Sequence, residues 1–424
     1  MATQPLTFSR QPLPPQLCNI DRLLFEMEQR AVDGVVAIAP NNVFYLSGFN
    51  GIAHKSDEPR PYAVVFSRHH PDHPILIVAD YYISTAAAQP SWVKDVRAFR
   101  AVMMPLDLPA KSGDVDRFIP ADIADQAWLA NLRATFKHGL GPAVASAIDD
   151  LGLSGQRVGF DDLRLAHTAG HQDSCDAYDT LMATRAIKTP AEIALLKRST
   201  ALNEAAINNA IARWDRGMTW REFNHAYHLA AIELGGFVRD PGGMVWGHPC
   251  GGDAAIVLQS GFEEFVIEPG THIMFDCHGT LDLYCWDGGK TWVVDGEPAP
   301  DVRHLFAATA NAVESVLAAM KPGVRVSELQ ATGRAAFRRS GVVDADRAVI
   351  FFHGLGLSHM DIAQYQPDGQ PNTDWQLEEN MVVPVHVLLP GGERERCWVE
   401  DVALVTPSGG QPFFSWGFDA LTAH

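Results

Sequence analysis

The chain has 424 residues, 47% hydrophobic and 20% charged, with a formal net charge of −18 at pH 7; that length favours two domains with cores large enough to need no staples. The acid excess leaves no basic surplus to neutralise phosphates, which argues against a nucleic-acid partner or an anionic membrane surface. Six scattered cysteines with no CxxC pair, no run of about 18 apolar residues and no apolar leader in "MATQPLTFSRQPLPPQ" together predict a reduced, cytoplasmic protein without a membrane span.

In chain order, "DRLLFEMEQR" (21–30) predicts an amphipathic helix. The short apolar runs "GVVAIAP", "YAVVFSR" and "PILIVAD" predict strands, and "RVGFDD" (157–162) a later strand of the same sheet. Residues 1–185 are therefore expected to form an α/β domain. The His-rich "SRHHPDHP" (67–74) lies between two strands and is expected to be a turn. A new helix opens at "KTPAEIALLK": Thr189 is a good N-cap, Pro190 fits the first helical position and Glu192 completes a capping box. It begins the second domain, 186–424.

That domain contains itself twice. Gly217, Glu222 and Gly235 recur at the same spacings as Gly323, Glu328 and Gly341. "IEPGTHIMFD" (267–276) aligns with "LEENMVVPVH" (377–386), which matches Gly270 to Asn380, the residue types that best tolerate positive φ, and Asp276 to His386. An internal pseudo-two-fold duplication is expected. "GGMVWGHPCGGD" (242–253) has no phosphate-loop spacing and is expected to line a pocket, with His248 and Asp253 contacting substrate.

"FDCHGTLDLYCWDGGKTW" (275–292) reads as a hairpin with a turn at 280–283. Opposite residues then place Asp276 against Asp287, with His278 and Cys285 on the same face. Two carboxylates this close repel unless a cation lies between them or one keeps a proton. The alternative is an exposed hairpin whose aspartates sit in water. The second copy, "MVVPVHVLLPGGERERCWVEDVALV", turns at 390–396 and sets His386 opposite Glu400. His353 ends the apolar run of "VIFFHGLGLSHMD", where a glycine-containing bend can bring an imidazole to a metal. Five donors with three carboxylates suit one or two divalent ions such as Mn, Fe, Co or Zn. Such a centre activates water for hydrolysis, or serves a lyase if a base removes a C–H proton.

The chain resembles the pita-bread superfamily of creatinase, prolidase, aminopeptidase P and methionine aminopeptidase. The resemblance rests on "RLLFEMEQRAVDGVVAIAPNNVFYLSGF", "RAIKTPAEIALLK", "FDCHGTLDLYCWDGGKTWVV", "HGLGL" and "VEDVALVTPSG". It implies an α/β N-terminal domain followed by an α+β pita-bread domain. It also implies metal ligands at Asp276, Asp287, His353 and Glu400, and a homodimer acting on a small molecule or short peptide. Lys290 matches a basic position expected to partner the ligands. Three positions depart from the family's peptidases. His386 replaces a glutamate ligand that also handles the proton of the attacking water. Gln259 replaces a histidine, and Met360 replaces another, flanked by His359 and Asp361. Dimethylsulfoniopropionate lyase, a member of the superfamily, carries an acidic residue at the offset of His359. His359 and His386 are thus the catalytic candidates, and Gln259 and Asp361 join His248 as substrate contacts. The leading expectation is a metal-dependent hydrolase of a C–N bond, followed by a lyase on a small zwitterion, then a non-catalytic binding module.

Overall fold

The structure is a computed structural model that describes residues 7–9, 11–51, 61–89, 91–101, 115–246, 265–392 and 394–422. The chain divides into two compact units, Leu13–Arg185 with Ala363–Asn372, and Ala186–Ile362 with Thr373–His424 and the N-terminal segment. His248 and Gln259, expected to meet substrate, lie outside the described residues, as does Asp253.

The first unit is built on six strands: β1 (Gly34–Ala37), β2 (Tyr62–Ser67), β3 (Ile75–Ala79), β4 (Asp95–Phe99), β5 (Val158–Phe160) and β6 (Ser174–Asp176). Their order is β4-β3-β2-β1-β5-β6. All neighbours run parallel except β2, which is antiparallel to β1 and β3. Every residue of β1, β2 and β3 is buried, which is why these strands read as continuous apolar runs. Asp161, directly after β5, accepts hydrogen bonds from the amides of Ile38 and Ala39 and from Asn42 Nδ2 at 2.8–3.0 Å. It thereby satisfies the start of the helix Pro40–Ser47, whose N-cap has no side-chain bond of its own.

The second unit carries a nine-stranded sheet. Its strands are β7 (Phe237–Trp246), β8 (His272–Leu281), β9 (Tyr284–Trp286), β10 (Gly289–Val293), β11 (Val349–Phe352), β12 (Val382–Leu389), β13 (Cys397–Thr406), β14 (Gly409–Pro412) and β15 (Leu421–Thr422). The main path is β11-β12-β13-β10-β8-β7. It is two antiparallel triplets joined at one seam, where β10 pairs with β13 through Gly289↔Glu400 and Lys290↔Val399.

Each triplet has its own helix pair and core. The helices Pro190–Ile211 and Trp220–Leu234 pack on Ile273, Phe275, Trp286 and Trp292. Arg303–Ala319 and Arg325-capped Val326–Arg339 pack on Val383, Val385, Val387 and Val399. The duplication extends to backbone detail. Gly217, Gly235, Gly323 and Gly341 all have φ between 81 and 106°. Glu222 closes a capping box with Thr219, and Glu328 Oε2 accepts from the Arg325 amide at the equivalent position. Gly270 (φ 83°) and Asn380 (φ 68°) occupy the same left-handed position before the two long strands.

One register differs from the sequence expectation. The first hairpin turns at Asp282–Leu283, both at positive φ, and Leu281 pairs with Tyr284. The partner of every β8 residue therefore moves by two positions. Gly279 pairs with Trp286, and Cys277 N–H reaches the Gly288 carbonyl, so Asp287 comes opposite His278 and not opposite Asp276. A two-residue shift preserves the face on which each side chain lies, so Asp276, His278 and Asp287 still converge. The positive φ available to Asp282 fixed the tighter turn, a backbone preference that the apolar pattern does not encode.

Asn380 holds a conformation that a β-branched residue resists. Asn380→Gly should leave the melting temperature nearly unchanged, whereas Asn380→Val should cost about 1–2 kcal/mol in thermal or denaturant melts. Equal stability of the two variants would refute the left-handed assignment. Glu192 is buried, and this pushes its carboxyl up to about 7 despite hydrogen bonds from Thr189 and Tyr284 and the charge of Lys188. Between its ordinary 4.5 and about 7 the folded protein keeps a proton that the unfolded chain has lost, so this group's contribution to stability falls as pH rises through that window. Glu192→Gln should flatten the slope of stability against pH there, by up to about 3 kcal/mol across the window.

Candidate metal centre

The site is built along one row of paired residues across the sheet. Met244 pairs with Asp276, Gly289 with Glu400, Glu400 with His386, and His386 with Phe351. Directly paired residues point to the same face, so Asp276, Glu400 and His386 share one. Asp287 enters at the break between β9 and β10. There Gly288 adopts φ +86°, and a β-carbon on it would lie 2.7 Å from the Glu400 carbonyl oxygen and 2.9 Å from its Cγ. Only glycine lets the chain pass so close to Glu400. Behind this turn Asn203 Nδ2 donates to the Gly288 carbonyl, Tyr227 donates to Asn203 Oδ1, and Trp286 Nε1 donates to the Tyr227 hydroxyl.

His353 directly follows β11, and His359 lies in the same loop. Asp361 folds back into that loop: its carboxylate accepts from Leu357 N–H at 3.2 Å and stands 3.9 Å from Lys188 Nζ. A β-carbon on Gly354 or Gly356 would run into Asp361, which explains both glycines of "HGLGL". Asp361, expected to contact substrate, is 1% exposed and holds the loop instead. The Lys290 ammonium reaches the Gly417 carbonyl and the Trp416 ring.

The structure brings together Asp276, Asp287, His353, His386, Glu400 and His359, and adds His278. His386 Nε2 lies 2.8 Å from Glu400 Oε1, and His353 Nε2 lies 3.4 Å from Asp287 Oδ2. His359 Nε2 is 2.9 Å from Asp287 Oδ2. His278 Nε2 is 2.9 Å from Asp276 Oδ1 and 3.0 Å from Asp287 Oδ1. Sequence reasoning placed His278 on this face, but the resemblance gave it no ligand role. The signal was its position two residues after Asp276 on an alternating strand.

Several of these atoms are buried without a hydrogen bond of acceptable geometry: Asp287 Oδ2, His353 Nε2 and both Glu400 carboxylate oxygens. Such atoms are costly in a protein interior unless a ligand meets them. Both buried imidazoles are set to receive a cation. His353 Nδ1 faces the Gly354 carbonyl at 3.1 Å and His386 Nδ1 the Phe351 carbonyl at 3.3 Å. A carbonyl only accepts, so each Nδ1 carries the proton and each Nε2 offers its lone pair to the centre. Burial pushes His353 and His386 below the usual histidine range, the latter further because His353 lies beside it. Burial, then the charges of Asp287 and Asp276, push Glu400 well above the carboxylate range. Burial also works against ionised Asp287, but the charge of His278 and the close approach of His278 and His359 outweigh it and hold that carboxyl well below its ordinary value. The donor set fits divalent ions: three trios have ligand atoms all within 4.8 Å of one another, His353–His386–Glu400, Asp276–Asp287–Glu400 and His278–Asp287–His359.

A pita-bread sheet with acidic and imidazole groups converging at the junction of its halves is the architecture of a metalloenzyme fold, and the comparisons agree. Residues 194–407 match metallopeptidase family M24, and residues 19–172 match the creatinase/prolidase N-terminal domain. The chain belongs to the M24 metallopeptidase family. It is 28% identical over 265 residues to the putative dipeptidase YkvY of Bacillus subtilis, covering 58% of this chain and 65% of that protein, a little under two thirds of its length. It is 23% identical over 421 residues to the dimethylsulfoniopropionate lyase DddP of Roseovarius nubinhibens, covering 94% of this chain and 85% of that one. The crystal structure of a dipeptidase from Pyrococcus horikoshii shares the fold, with a TM-score of 0.68 at 17% identity over 95% of this chain and 99% of the other. Among the described residues no helix is long and apolar enough to cross a membrane.

Glu400→Gln replaces the carboxyl almost isosterically and removes the charge it could bring to an ion. The metal-free variant should melt within about 2 °C of the unsubstituted protein. Added Mn(II) or Co(II) should raise the melting temperature of the unsubstituted protein only, the gain being about 2.7 kcal/mol at a hundredfold excess over Kd. An equal rise in the variant would remove Glu400 from the centre.

Proposed function

We propose that this chain is a metal-dependent hydrolase that cleaves a C–N bond, amide or peptide-like, in a small substrate. The observation that carries this reading is the set of buried, orphaned donor atoms on Asp287, His353 and Glu400, which face one another across the seam. Asp276, Asp287, His353, His386 and Glu400 would hold one or two ions of Mn, Fe, Zn or Co. A divalent ion there supplies Lewis acidity and a water of lowered pKa.

The protein's own groups set the geometry. Phe351 stacks on His386 with ring centres 3.8 Å apart and, with its own carbonyl, locks the imidazole with Nε2 inward. That orientation favours an ion-holding role for His386 over proton shuttling. The side chain of His359 is 45% exposed, which supports substrate approach from that side. An imidazole in place of a carboxylate at 386 lowers the negative charge of the centre by one and leaves bound metal a stronger Lewis acid.

The lyase reading stays as the second hypothesis because the relative named as a dimethylsulfoniopropionate lyase aligns across nearly the whole chain. Metal-reconstituted protein should be offered a panel of dipeptides, N-acyl amino acids and small sulfonium or betaine zwitterions in water enriched in oxygen-18. Hydrolysis puts the label in a product carboxyl, and His353→Ala should lower that turnover by at least about a hundredfold. Turnover of a zwitterion to an alkene without label would replace the hydrolase reading with the lyase one.

A further inference from the structure

We propose that His278, Asp287 and His359 form a second divalent-cation position beside the one offered by His353, His386 and Glu400, so that the centre takes two imidazole-rich ions. This rests on the metal reading above and deepens it, because it says which side chains hold the second ion and which metals they favour.

Asp287 is the hinge of the arrangement. Its Oδ1 faces His278 Nε2 at 3.0 Å, and its Oδ2 faces His359 Nε2 at 2.9 Å on one side and His353 Nε2 at 3.4 Å on the other. The Oδ2 atom has no hydrogen bond of acceptable geometry, although two imidazole nitrogens stand that close. Misaligned lone pairs converging at such distances describe ligands around a common point better than donors and acceptors in line. The four imidazoles form a file: His278 and His359 have ring centres 4.4 Å apart, His359 and His353 4.7 Å, and His353 and His386 5.0 Å. The ligand atoms of His278, Asp287 and His359 lie within 4.8 Å of one another, as do those of His353, His386 and Glu400. Asp276, Asp287 and Glu400 form the third such trio and are placed to bridge the two positions.

Each outer trio is two imidazoles and one carboxylate. That donor set favours transition metals, Fe(II), Co(II) and Zn(II) above all, over the oxygen-preferring Mg(II) and Ca(II). His278 lies on a buried strand and is fixed between Asp276 and Asp287. His359 comes from the loop that Asp361 ties down, so both ligands arrive from supported backbone.

The test is metal stoichiometry of the full chain, read without any substrate. Apoprotein is loaded anaerobically with Co(II), desalted, and measured by elemental analysis and by the visible absorption of bound Co(II). The unsubstituted protein is expected to hold two equivalents. His359→Ala and His278→Asn should each retain one, with at least a tenfold weaker second Kd and a loss of part of the visible absorption. His353→Ala should also fall by one, and the ion it retains should then depend on His359. Circular dichroism and melting curves establish that each variant is folded, and exposed His359 supplies the variant least able to disturb the core. Two equivalents retained in both His278→Asn and His359→Ala would overturn the proposal. A single equivalent in the unsubstituted protein, unaffected by either substitution, would overturn it as well while leaving the one-ion hydrolase reading in place. No bound ion at all would overturn both.

Discussion

Three carboxyl groups, Asp276, Asp287 and Glu400, are packed into one end of a dry sheet junction, and everything around them answers to that crowding. Two unit charges about 4 Å apart repel by about 4 kcal/mol even at an effective dielectric of 20. Burial and the neighbouring carboxylates push the Glu400 carboxyl well above its ordinary range, and imidazoles surround Asp287. The fold meets the same demand by bringing the two halves together at β10 and β13, where Glu400 is paired to Gly289 on one side and His386 on the other. Gly288 makes room for the close pass, and the Asn203–Tyr227–Trp286 chain of hydrogen bonds holds the turn from behind.

The imidazole content sets this centre apart from a carboxylate cage. Four histidines line it, and the two deepest are oriented by backbone carbonyls so that their lone pairs face inward. His386 stands beside Glu400 at one end, and His278 and His359 flank Asp287 at the other. A site of this kind holds softer ions with less charge compensation and polarises what they bind more strongly.

Much of this was legible in the residues. The capping box at Thr189–Glu192, the paired glycines of the two copies and the positive-φ equivalence of Gly270 and Asn380 are local backbone signals, and each appears where its spacing placed it. The second hairpin's register, with His386 opposite Glu400, followed from its turn and its alternation. The first hairpin's did not, because the choice of Asp282–Leu283 as the turn depends on a left-handed backbone pair that the hydrophobic pattern leaves open.

Sequence alone determined which residue types were available and on which strand face each would lie, since alternation along a strand survives even a two-residue slip in register. It also determined that the second domain was doubled, because helix caps and left-handed positions repeat at fixed spacing. Only the tertiary structure decided that His278 meets both aspartates, that Asp361 turns into its own loop, and that His359 reaches Asp287. The contact of His359 with Asp287 joins segments tens of residues apart, and the two shorter-range contacts depend on how the glycine turns and the packed loop aim the side chains, which the hydrophobic pattern leaves open.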